Sequence, residues 1–259
     1  MDIGRRISLL LRLAISSIAA LQSAAGASET LRECPPAPES ASPIAPSLVF
    51  DTIEGEGGVP LNVVTVGNPH NPPILFVHGL GQSYLSFDRQ LTSTLSERWF
   101  LVAFDLRGHG QSGKPWTPGA YRRSETWSSD VERVIRALAL ERPLIVAWSY
   151  GTLVAMDYVR HVGPQSVSGL VLTGAHGGLA PFAAPGGAPS PALQRLQDDL
   201  RSSDLERNLA GAETIARQLS YCAMPDWWIV RATAIGLLLP PTARIEMSNR
   251  TLDNTDLVE

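Results

Sequence analysis

Ile145-Val146-Ala147-Trp148-Ser149-Tyr150-Gly151 carries an apolar, β-rich run straight into a serine and then into a helical pattern. A serine on so sharp a strand-to-helix turn has its hydroxyl lifted above the sheet, and the first helical amides face the place where an oxyanion forms. Side chains flanking such a serine collide with neighbouring backbone, so small residues are needed there. Gly151 holds the second of those places and Ala147 the first, a mild departure from G-x-S-x-G. Ser149 is therefore the candidate nucleophile. The motif is short, and only its surroundings give it weight.

Working outward, short β-rich runs alternate with longer helical patterns, which predicts an α/β fold: a mostly parallel sheet flanked by helices. Strands are expected at 48–52, 61–66, 74–77, 100–104, 144–147 and 170–173. The last four are nearly continuous apolar runs, as in parallel strands buried on both faces, while the first two are broken and suit an antiparallel edge. Helices are expected at 87–96, 124–139 and 150–162. Beyond Gly177 a Gly/Pro/Ala stretch leads to amphipathic helices at 191–209, 211–221 and 226–239, stopped by Pro240-Pro241, with no strand among them. The expected organisation is a signal peptide at 1–27, a Pro/Ser/Ala-rich linker at 28–47, an α/β core at 48–178, and a helical lid with a tail at 179–259.

Two more segments end strands on the side of Ser149. His78-Gly79-Leu80-Gly81 is a Gly-rich turn that brings the Leu80 amide beside that of Tyr150, and two converging amides form an oxyanion hole. Asp105-Leu106-Arg107-Gly108-His109-Gly110-Gln111-Ser112 follows the next strand, at the carboxyl end where open α/β sheets bind ligands. In this order and context the three segments resemble the α/β-hydrolase fold superfamily, in the branch of esterases, proline iminopeptidases and cofactor-free haloperoxidases. The resemblance runs from about residue 48 through the lid. It implies that Ser149 is the nucleophile, that Leu80 and Tyr150 donate the oxyanion-hole amides, and that His78, His109 and Arg107 buttress the loops. It also implies serine acylation of an ester or related acyl bond, on a small apolar ester-like substrate. Epoxide hydrolases and haloalkane dehalogenases are disfavoured, because the resemblance places an aspartate at their elbow.

A serine hydroxyl needs a base, and in this superfamily the chain order is Ser, Asp or Glu, then His, after two further strands. No such strand and no histidine follow His176, so the chain reads as C-terminally truncated, without the usual acid and base and with low activity. His161 lies 12 residues into the helix, about 18 Å along its axis, and is out of reach. His176, after the strand ending at Thr173, is the substitute base to consider, though no carboxylate lies between Asp157 and Asp198 to orient it. Gly174 and Ala175 occupy the alternative acid position, and Asp226, Asp253 and Asp256 are assigned no role. The lid residues Met224, Trp227, Trp228, Ile229, Leu237, Leu238 and Leu239 either face an acyl chain or pack the lid onto the body. Two alternatives stay open: a non-catalytic, decayed member binding apolar ligands, and a haloperoxidase or perhydrolase using the same serine.

The 259 residues include 22 Gly and 20 Pro without a repeat, and 18% charged against 44% hydrophobic residues excludes collagen-like, disordered acidic and coiled-coil chains. Net charge is −4, and Lys114 is the single lysine among 21 basic residues; with no basic stripe in the body, a nucleic-acid partner is not expected. No metal-ligand cluster, phosphate loop or dinucleotide pattern appears, so no cofactor and no metal are expected.

Positive charge in residues 1–12, a short apolar run at 13–21 and Ala25-Gly26-Ala27 order as a secretory signal, giving an exported protein with no stable membrane span. An uncleaved signal-anchor is the alternative, and Arg5-Arg6 leaves the export route open. Arg32 and Glu33 before Cys34 argue against lipidation. Cys34 and Cys222 are read as two unpaired thiols, with a disulfide as the alternative that export permits.

Overall fold

The computed structural model describes residues 32–33, 47–175, 177–179, 190–220, 222–250 and 253–258. The signal segment 1–27, most of the linker, Cys34 and His176 lie outside the described residues. The described residues divide into two compact units, 32–33 with 222–223 and the remainder.

In the first unit, β1 (Arg32–Glu33) pairs in parallel with β8 (Cys222–Ala223). Two residues of the expected linker are thus paired, and the lid sequence, expected to lack strands, supplies the partner. Neither pair is a local apolar run, so only the tertiary contact reveals it. Cys222 is disulfide-bonded rather than a free thiol.

The second unit holds a six-stranded sheet built from β2 (Val49–Glu54), β3 (Pro60–Val66), β4 (Pro73–Val77), β5 (Phe100–Phe104), β6 (Leu144–Trp148) and β7 (Gly169–Thr173). Their spatial order is β2-β3-β5-β4-β6-β7. The pairs β2–β3 and β3–β5 are antiparallel, while β5–β4, β4–β6 and β6–β7 are parallel. All six expected strands form within two residues of their expected ends. The strand period of two divides the sheet's side chains between two cores. Leu75, Val77, Val102, Phe104, Ile145 and Ala147 face one core with Trp127, Val131 and Val154, whereas Ile74, Phe76, Leu101 and Ala103 face the other with Phe87 and Leu91.

The helix expected at 87–96 is instead three short pieces. One-turn α1 (Asp88–Leu91) lies between 3-10 turns at Tyr84–Phe87 and Thr94–Glu97. Hydroxyls explain the breaks: Ser83 and Ser93 cap the following turns, and Thr92 and Ser93 donate to the carbonyls of Asp88 and Gln90. The next two helices form as expected, α2 (Ser124–Ala137) and α3 (Tyr150–Val162).

The lid partitions differently from its sequence pattern. It contains α4 (Pro191–Leu200), α5 (Leu205–Gln218), α6 (Asp226–Leu237) and α7 (Pro241–Ser248). The break falls at 201–204 rather than 210, because the Asp204 carboxylate caps α5 by accepting from the Arg207 amide at 2.9 Å. Gly211 is a close-packing point, not a stop: a Cβ there would sit 3.0 Å from the backbone nitrogen of Leu200. Pro241 does not end the helical region but opens α7, where a missing N–H carries no penalty. Among the described residues no helix is long and apolar enough to cross a membrane.

Candidate active site

Ser149 stands between β6 and α3 with φ 51° and ψ −120°, in the left-handed region that side chains rarely adopt. Two contacts hold it there. Its amide donates to the Thr173 carbonyl at 2.8 Å, and its carbonyl accepts from the Thr152 amide at 3.0 Å and hydroxyl at 2.6 Å. The strain is thereby overdetermined by the sheet and the helix, as is usual where backbone strain serves a site.

The Gly-rich turn after β4 lies against this elbow. A Cβ on Gly79 would be 3.1 Å from the Ser149 Cβ, and one on Gly151 would be 2.3 Å from the Val77 carbonyl oxygen and 2.6 Å from that of His78. Leu80, half-buried, follows Gly79 in that turn, and Tyr150, buried, follows Ser149 at the start of α3. Tyr150 is fixed from behind. Its hydroxyl accepts from Arg250 Nη1 at 2.8 Å, and that guanidinium lies over the rings of Trp127 and Tyr150. Burial pushes the Tyr150 phenol up to about 12, so it stays protonated.

His78, His109 and Arg107 are buried and spend polar groups on loop and side-chain partners. His78 Nε2 accepts from the Leu106 amide at 3.0 Å, which leaves the proton on Nδ1 to be donated to the Gly79 carbonyl at 2.8 Å. His78 is spent joining two loops, and burial pushes its pKa down. His109 is buried beside it, with Nδ1 donating to the Arg107 carbonyl at 3.0 Å; burial, followed by His78, holds its pKa well below the usual imidazole value. Arg107 forks onto Asp130 at 2.6 and 2.7 Å and also donates to the carbonyls of Glu56 and Ala120. His161 is exposed and bonded to the Ser124 hydroxyl at 2.8 Å, remote from the elbow as expected. Among the described residues no histidine hydrogen-bonds Ser149; His176 lies outside them.

Several contributors escape a reading of sequence alone. Asp105, fully buried, accepts from the amides of Tyr84 and Gln111 and from Asn62, tying both loops to the sheet. The tail has structural work: Asp256 pairs with Arg160 at 2.5 Å, and Asn254 donates to the Gly177 carbonyl at 2.8 Å. Of the apolar lid residues, Ile229, Met224 and Trp228 pack within the lid and Leu239 in the main core, which favours packing over a lining role. Trp227 is exposed under the Arg231 guanidinium.

Arg250 also pairs with Asp157, whose carboxyl burial pushes up to about 6 from its ordinary 3.8. A raised carboxyl binds its proton more tightly in the folded state, so its contribution to stability is fully present below about 4 and is lost as pH rises through about 6. Asp157→Asn is expected to flatten the pH dependence of Tm across that window. An unchanged slope by calorimetry from pH 4 to 6.5 would assign it to other groups.

Residues 72–215 match the sequence profile of the α/β hydrolase fold, more than half of the chain. The protein belongs to the α/β hydrolase fold family. It is 35% identical over 124 residues to the AB hydrolase superfamily protein YisY of Bacillus subtilis, covering 48% of this chain and 44% of YisY. It is 31% identical over 113 residues to Epoxide hydrolase 1 of Caenorhabditis elegans, covering 44% of this chain and 27% of that protein. The chain thus spans under half the length of these curated relatives. Its fold is similar to that of the esterase RhEst1 from Rhodococcus sp. ECU1013, with a TM-score of 0.70 at 26% identity over 80% of this chain and 75% of that one.

Proposed function

We propose that this α/β hydrolase family member is a serine hydrolase of ester or related acyl bonds. The observation carrying this reading is Ser149 at φ 51° on the β6–α3 turn, with the Gly79 turn so close that a Cβ on Gly79 would lie 3.1 Å from the Ser149 Cβ. In the proposed reaction Ser149 Oγ bonds to the acyl carbon, its proton goes to a base, and the alcohol leaves. The amides of Leu80 and Tyr150 donate to the tetrahedral oxyanion; water then takes the acyl group and restores the serine. The serine at position 149 favours this over epoxide opening, for which the family resemblance calls for an aspartate. No described imidazole reaches the hydroxyl, and turnover near the residual level of about 10³ to 10⁴ over water is proposed for the chain as given.

A serine-directed fluorophosphonate tests the reading without requiring turnover. The expected result is one covalent adduct, mapped to Ser149 by mass spectrometry and missing from Ser149→Ala. A folded protein that takes no adduct would favour the second reading, ligand binding without catalysis, to which the absence of any described histidine bonded to Ser149 also lends support. Export is part of the proposal, supported by the charge and apolar order of residues 1–27 and by the disulfide at Cys222. N-terminal sequencing of exported protein is expected to begin after Ala27.

A further inference from the structure

Arg244 of α7 is more than nine-tenths buried, yet it forms no ion pair with any described acid. Its Nη2 donates to the Gly236 carbonyl at 3.2 Å, and its Nε is buried without an acceptor. Every other arginine buried to this degree has a carboxylate: Arg107 takes Asp130, and Arg250 takes Asp157. The acids on the surrounding elements are engaged elsewhere. Glu246 accepts from the amides of Gly119 and Tyr121, Asp105 from Tyr84 and Gln111, and Asp199 pairs with Arg207. The charge that acts on Arg244 itself is cationic. Arg201, half-buried and also without an ion pair among the described residues, opposes the charge on Arg244, and burial leads in pulling the Arg244 pKa down to about 10. His109, neutral and with Nε2 unpartnered, also feels Arg244.

The guanidinium is placed against the proposed oxyanion loop. Gly81, with φ 70°, would put a Cβ 3.1 Å from Arg244 Nη2 and 3.3 Å from Nη1, and Gly81 is the residue after Leu80. Only glycine leaves room there for the cation. A buried guanidinium without a counter-charge costs several kcal/mol, a penalty that an anion with two oxygens removes by accepting a forked pair of N–H bonds.

We infer that Arg244 receives a carboxylate of the substrate, so that the preferred substrates are esters of acids bearing a second, ionised carboxyl group. This rests on the serine-hydrolase reading, but its first test does not depend on catalysis. Monomethyl glutarate and methyl valerate match in length, and only the first carries a carboxylate. Calorimetric titration of the full chain carrying Ser149→Ala is expected to show monomethyl glutarate binding about tenfold or more tighter than methyl valerate, a ratio that Arg244→Met erases. Arg244→Met is also expected to hold or raise Tm, since it replaces an unpaired buried charge by an apolar chain of similar length. A purely bracing arginine predicts the reverse, a clear fall in Tm.

Equal binding of the two methyl esters, or a preference that survives Arg244→Met, overturns the inference. Arg244→Lys, which keeps the charge and loses the fork, is expected to retain part of the preference. The kinetic arm compares acylation of Ser149 by the mono-p-nitrophenyl ester of glutarate and by p-nitrophenyl valerate, with the glutarate ester faster by about the same factor. Failure of both p-nitrophenyl esters with intact monomethyl glutarate binding rejects hydrolysis and keeps the anion site. Equal acylation by both does the opposite.

Discussion

Gly151→Ala is expected to unfold the elbow, lowering stability by about 3 kcal/mol or more and Tm by about 10 °C. The added Cβ would fall 2.3 Å from the Val77 carbonyl oxygen, 2.6 Å from the His78 oxygen and 2.8 Å from the Val77 carbonyl carbon. All three are backbone atoms, and Val77 is the last residue of a central strand paired on both sides. No rotamer change relieves the overlap, so either α3 lifts from β4 or the strand shifts. Either movement separates the Gly79 turn from Ser149, and any fluorophosphonate labelling is expected to fall with stability. Gly119→Ala is the control: it lies at φ 82° with open space around its Cβ position, so only the conformational cost of about 1–2 kcal/mol applies. Thermal melts of the two variants that coincide would show that the contact between α3 and β4 yields easily.

Arg107→Met is expected to destabilise by about 3–5 kcal/mol, because it leaves Asp130 charged, fully buried and without its cation. Burial already pushes the Asp130 carboxyl above its ordinary value, with Arg107 opposing the shift. Without the guanidinium that carboxyl protonates more readily, so the variant's deficit is expected to shrink as the pH is lowered. The replacement also frees the carbonyls of Glu56 and Ala120, which Arg107 holds at 3.0 and 3.2 Å. Asp130→Asn restores part of the loss when combined with Arg107→Met, since a neutral amide needs no cation. Urea melts of the single and double variants measure this directly. Equal loss in both would mean that packing of the arginine stem, not charge, dominates.

The contrast between these two positions shows which features were legible from the start. Gly151 announced itself by its place two residues after Ser149, next to a continuous apolar strand. The Asp130 partner of Arg107 lies 23 residues away on α2, and nothing in its neighbourhood marks it as buried. The same holds for Arg244. On a short helix after two prolines it reads as an ordinary surface arginine, and its burial exists only because α7 lies over Gly81 and Tyr121. Asp105 gives no such signal in its motif, because its three donors come from residues 62, 84 and 111.

Local pattern explains the successes and the failures alike. The strands followed from runs of apolar residues, whose periodicity is a property of adjacent residues and survives without knowledge of the partner. The helix divisions within 87–96 and 191–221 differ from the sequence pattern because hydroxyl and carboxylate caps compete with helical hydrogen bonds at positions that propensity alone does not distinguish.

What the amino-acid order determined by itself was the succession of strands and helices, the turn bearing Ser149, and the small residues that such a turn demands. Each depends on contacts a few residues long. Which cations are neutralised, which is left alone beside the Gly79–Gly81 turn, and which imidazoles are spent on backbone were decided by the tertiary structure, because burial and charge pairing depend on distance through space between segments far apart along the chain.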